Sequence, residues 1–122
     1  MLDDFDRVGQ RQDAGRLDRA AFVVKDAELQ DGWNAGRTAG PRVVFAGIID
    51  GPGPFQGPTK TLVATEAEAR EAVRSMAAAK FLQVKIYSSV KPELVPVIAQ
   101  EAHAAGLRVS GHIPAFMTAS QA

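Results

Sequence analysis

A chain of 122 residues is long enough for one domain with a modest core and too short for two. Hydrophobic residues make up 46% of it, which excludes a disordered polymer, and its 14 basic and 14 acidic residues cancel to a formal net charge of +0. With no basic stripe to follow a phosphate backbone, and no apolar run near the roughly 20 residues that span a bilayer, neither nucleic acid nor a membrane is an expected partner.

The amino end, Met1-Leu-Asp-Asp-Phe-Asp, is acidic where a secretory signal is basic and then apolar, so the cytoplasm is the default location. The absence of cysteine removes disulfides, thiolate metal ligands and a cysteine nucleophile. Residues 1–40 read as a poorly defined, partly helical segment. Phe5, Val8, Leu17, Ala21 and Phe22 give a helical pattern that Gly9 and Gly15 interrupt, and a short helix is predicted over residues 26–35, ended by Gly36. Residues 41–122 read as one α/β unit. RVVFAGII, residues 42–49, is apolar on both faces, as in a strand of a covered parallel sheet. DGPGPFQGP, residues 50–58, holds three glycines and three prolines and must be a loop. A helix over residues 65–79 follows from the Thr65/Glu68 capping box and the apolar stripe Ala69, Val73, Met76 and Ala77.

A second strand is predicted over residues 82–87. Then comes a helix with Pro92 in its first turn, the stripe Leu94, Val95, Ile98, Ala102 and Ala105, and Gly106 as its stop. Residues 107–112 form the next strand, and Thr118 looks like the cap of one more helix. This alternation predicts about three parallel strands with crossover helices, too few to close a barrel or to cover both of their own faces.

Side-chain alternation selects the candidate functional residues. Gln83, Lys85 and Tyr87 share one face of their strand, opposite Leu82, Val84 and Ile86; Arg108, Ser110 and His112 share one face of the next. Parallel strands bring Lys85 and His112 toward carboxyl ends, where α/β sheets and barrels place their chemistry. A lysine on an inward face either pairs, reaches solvent or loses its proton, and a neutral amine can form covalent adducts such as a carbamate. Histidine offers the neutral nitrogen that zinc prefers, and it also serves as a hydrogen-bonded core residue. His103 sits in the last turns of its helix, where an imidazolium suits the dipole, and a structural role is expected there. Asp50 stands at a strand end, positioned either to start the turn or to touch a substrate or metal.

The strings GPRVVFAGIIDGPGPFQGPT and VKIYSSVKPELVPVIAQEAHAAGLRVSGHIPAFMTASQA resemble the metal-dependent amidohydrolase superfamily, in particular its imidazolonepropionase-like and prolidase-like branch. The resemblance runs from about Gly40 to Ala122. It implies a partial (β/α)8 TIM barrel, here a central fragment, from an enzyme that hydrolyses amide or peptide-like C–N bonds through a metal-activated water. It further implies that Lys85 is the carboxylated, metal-bridging lysine and His112 a metal ligand, with one or two divalent ions, zinc first, in the complete parent. Tyr87 and Asp50 would line the pocket for a small-molecule or dipeptide-like substrate.

This sequence departs from the family's pattern as well. It contains no His-x-His pair, and beyond Lys85 and His112 it holds neither the further metal-binding histidine nor the catalytic aspartate of later strands. No catalytic residue is therefore assigned within the chain, which is expected to be inactive alone. The alternative is a non-catalytic α/β module that binds a partner or ligand, or associates with itself through exposed strand edges.

Overall fold

The computed structural model describes residues 27–54 and 57–122. The irregular helical pattern read between Phe5 and Phe22 lies outside them. Four parallel strands form one sheet in the order β2-β1-β3-β4: β1 is Ala46–Asp50, β2 Lys60–Leu62, β3 Gln83–Ile86 and β4 Arg108–Gly111. The class is α/β with parallel pairing, as the alternation predicts, but with one strand more. The extra strand, β2, has three residues and pairs only with the carboxyl half of β1, from Ile48↔Lys60 to Asp50↔Leu62.

A helix occupies residues 27–34 (α1) and is followed by Gly36 in the left-handed region at φ 73°, where glycine carries no Cβ penalty. The strand predicted from residue 42 begins only at Ala46. Side chains of α1 take the backbone groups that a ladder would have used. Asn34 brackets Val43, donating to its carbonyl and accepting from its amide, and Gln30 accepts from the Phe45 amide. Gln30 is buried and donates to the Lys80 carbonyl as well, which fastens α1 to the end of the next helix.

That helix, α2 (Glu66–Ala78), starts at the anticipated capping box. The Thr65 hydroxyl accepts from the Glu68 amide and the Glu68 carboxylate accepts from the Ala64 and Thr65 amides. Its stop is a left-handed residue, Lys80 at φ 60°, with the Phe81 amide returning to the Met76 carbonyl. A 3-10 turn, Pro92–Leu94, leads into α3 (Val95–Ala104). Gly106 at φ 75° closes α3 in the same way, with the Leu107 amide reaching Ala102. Ala105, placed on the buried stripe from its spacing, is exposed, because it already lies past the helix end. The helix anticipated after Thr118 is a hydrogen-bonded turn instead, closed by Gln121 and Ala122 amides on the Thr118 carbonyl.

Both long helices pack on one face of the sheet. Ile49, Val84 and Ile86 from the strands meet Ala69, Val73 and Met76 from α2 and Leu94, Ile98 and Ala102 from α3. Each fully buried Ile or Val here contributes about 1.5–3 kcal/mol. At Gly47 a Cβ would collide with the Met76 side chain, so α2 sits close over β1. Glu101 on α3 binds Arg70 and Arg74 of α2 at 2.9 and 2.7 Å, tying the two helices at their outer surface.

Two expectations concern this scaffold. Hydrogen bonds from Arg74 and then Arg70 hold the Glu101 carboxyl below the usual glutamate range, and amides of Ala64 and Thr65 do the same for Glu68. A carboxyl whose folded pKa is depressed stabilises the fold above its unfolded value of about 4.3 and loses that contribution as pH falls through the folded value. The thermal midpoint should therefore drop between pH 5 and 3, and Glu101→Gln should lower it at pH 7 and flatten the acid decline. Gly111 at the end of β4 has φ 147°, and a Cβ there would overlap the Ile86 carbonyl oxygen. Gly111→Ala should cost about 1–3 kcal/mol in urea unfolding. Gly57→Ala, which meets only the end of the Lys60 side chain, should cost far less.

Candidate functional site

Among the described residues no helix covers the other face of the sheet, and strand register sets what it displays. Cα pairing places Lys60, Ile48, Lys85 and Ser110 in one row across the four strands. Ala46, Gln83 and Arg108 form the row below, toward the amino ends. Above, at the carboxyl ends, Asp50 and Leu62 share a row that Tyr87 and His112 continue just beyond β3 and β4. The Tyr87 amide donates to Ile49 and the His112 amide to Ile86, so both residues keep their strands' direction past the last formal ladder position.

Three of the residues selected from sequence meet here. The rings of Tyr87 and His112 stack with centroids 4.3 Å apart and planes inclined at 30°. The Lys85 Nζ lies 5.6 Å from the Tyr87 ring centre. Lys85 and Tyr87 are half-buried and His112 is exposed. Among the described residues, the side chains of Lys85, Tyr87 and His112 make no hydrogen bond or ion pair, so their polar atoms remain available.

Asp50 plays a different part. It is 1% exposed, and its carboxylate accepts from the Gly51 amide, the Ser89 amide and the Lys60 Nζ at 2.9, 3.0 and 2.9 Å. Both oxygens are thus engaged in joining β1 to β2 and to the loop after β3. The same Lys60 Nζ lies 3.7 Å from the Tyr87 ring centre, an attractive cation–π distance. Lys60 is the site residue that sequence reading missed. Its one signal is the short alternation Lys60, Leu62 against Thr61, Val63, which follows a proline-rich loop and is too brief to stand out.

His103 is exposed in the last turn of α3, away from this row. A groove of about 410 Å³ between the start of α3 and the Phe116–Met117 turn contains none of these residues.

As a metal centre the donor set is incomplete. Lys85 and His112 provide one amine and one imidazole, Asp50 is already engaged, and no group of three His, Cys, Asp or Glu side chains gathers among the described residues. A catalytic zinc ordinarily takes three protein donors and a water. The described residues by themselves do not fit one. Compared with protein-family models, with curated proteins and with solved structures, the chain matches none of them.

The Asp50–Lys60 pair yields an asymmetric expectation. Side-chain exposure is 2% for Asp50 and 12% for Lys60. Removing the carboxylate takes the acceptor from two backbone amides and the ion-pair partner from a shielded ammonium, whereas removing the ammonium leaves Asp50 its two backbone donors. Asp50→Ala should destabilise by about 3–5 kcal/mol, and Lys60→Met by clearly less. Equilibrium urea unfolding of the two variants and of the double variant checks the order.

Proposed function

We propose that this chain is a sector of a metal-dependent amidohydrolase-type (β/α)8 barrel, from an enzyme that hydrolyses amide or peptide-like C–N bonds with a metal-activated water. One observation supports the reading. Lys85 and His112, an amine and an imidazole, stand on adjacent parallel strands, at or just past the carboxyl ends, on the face turned away from the helices. In a barrel that face is the interior and that end is the catalytic mouth. The remaining donors and a general base would come from strands outside this sector, so the sector alone does not turn over. Tyr87 would form part of the substrate wall, and Asp50 would hold Lys60 and the β3 loop in place beside it.

A second reading, a non-catalytic α/β module that binds a partner or associates with itself, has its own support in the exposed β4, which among the described residues pairs only with β3. Sedimentation across a range of concentrations tests it: a species of constant monomer mass would count against self-association.

Cobalt(II) added to the isotope-labelled chain in bicarbonate buffer tests the first reading. Paramagnetic broadening should centre on the amides of Tyr87, Gly111 and His112 and vanish in His112→Ala. Dipeptide and N-acyl amino acid hydrolysis should stay at the buffer rate. Broadening centred on His103 would sink the metal role of the rim, and metal-dependent turnover lost in Lys85→Ala would sink the sector reading.

A further inference from the structure

The mismatch between this face and a metal ion has a chemical direction. Three fixed cations, Lys60, Lys85 and Arg108, share the open face, against a single described carboxylate, Asp50. Yet the chain as a whole has a formal net charge of +0. The other described acidic residues lie elsewhere: Glu66, Glu68 and Glu71 on α2, Glu93 and Glu101 at α3, and Glu28 and Asp31 on α1. Among the described residues the sheet face is therefore locally positive.

The carboxyl end of that face adds geometry to charge. Lys60 and Lys85 both bring their Nζ atoms to the Tyr87 ring, and the His112 ring stacks on it. The Lys60 charge is offset by Asp50, while Lys85 has no carboxylate among the described residues. The Lys85 ammonium, the Tyr87 hydroxyl and the His112 imidazole are all potential donors, all unspent among the described residues, and all within one row and its neighbour. A metal cation approaching this surface meets ammonium groups. An oxyanion meets donors of matching charge, and a carboxylate or phosphate can accept several of them at once.

We infer that the carboxyl end of the open sheet face binds an oxyanion, the carboxylate or phosphate group of a small ligand, with Lys85 as its principal charge partner and Tyr87 and His112 as flanking donors. This goes beyond the barrel reading and stands on the charges and unspent donors of this chain alone. It concerns Lys85 as an unmodified amine, so it excludes simultaneous use of the same nitrogen as a carboxylated metal ligand.

Amide chemical shifts of the labelled chain, titrated with inorganic phosphate and separately with acetate against sodium chloride at matched ionic strength, test the inference. Saturable shifts should concentrate on Lys85, Tyr87, Ser88 and His112. Response to phosphate alone assigns a phosphorylated ligand, and response to acetate alone assigns a carboxylate. Lys85→Gln should weaken the binding about tenfold or more, and His112→Gln should weaken it less. Lys91→Gln, which removes an exposed ammonium bonded to the Ala64 carbonyl, should leave it unchanged. Shifts no larger than those with chloride, or equal affinity in Lys85→Gln with its spectrum still dispersed, would overturn the assignment.

Discussion

Both crossovers carry their helix over the same side of the sheet. The chain steps through α2 from β2 past β1 to β3, and through α3 from β3 to β4, in one direction, and right-handed connections that advance in one direction must place their helices on one face. Everything distinctive about this molecule follows from that constraint. The covered face is apolar on the two central strands: Gly47, Ile49, Val84 and Ile86 look into the helices. The opposite face, released from packing, carries lysine, arginine, histidine, glutamine and serine, and its contacts are electrostatic where those of the covered face are hydrophobic. Gln83 and Ser110 illustrate this, meeting side chain to side chain at 2.7 Å across β3 and β4.

At the carboxyl end a shielded carboxylate organises the open face. Asp50 closes β1, receives the amides of Gly51 and Ser89, and fixes Lys60 beside the Tyr87 ring. Gly51 allows this closure, since a Cβ at that position would overlap the Ser89 carbonyl. A buried ion pair is weak evidence for stability in itself, because desolvation offsets most of the attraction. Here its consequence is positional. It binds three separate segments at the place where Tyr87 and His112 emerge, and it neutralises one ammonium while leaving the other charged.

Much of this was legible from the residues. The capping box, the Gly36 and Gly106 stops, and the alternation that sets Lys85 and His112 opposite the core are local signals read by local physics. What escaped was tertiary. Residues 42–45 look like strand because Val43, Val44 and Phe45 are apolar, yet backbone groups of Val43 and Phe45 are claimed by Asn34 and Gln30 of a helix 9 and 15 residues away. Strand β2 is three residues of mixed polarity whose pairing exists only because β1 offers an open edge. Lys60 could not be matched to Asp50 from spacing, since a glycine- and proline-rich stretch separates them in sequence and nothing periodic links the two. Lys80 ends α2 in a left-handed conformation that glycine would occupy without strain, so no residue-type signal marks that stop.

Lys85 links the two readings of the open face through its charge. As an ammonium it makes the rim positive, and the face then repels a divalent cation and attracts an oxyanion. As a carbamate it would be negative, the local balance would reverse, and the neighbouring imidazole of His112 would become a natural second donor to a metal. Two ligands on one sheet still fall short of a catalytic site, so the second state gains stability only if a neighbouring structure contributes more donors across the open face. Any such structure must bring carboxylates or neutral imidazoles. Additional lysines or arginines would add to the positive charge of Lys60 and Arg108 in a space from which water is being removed, where unpaired like charges are least tolerated.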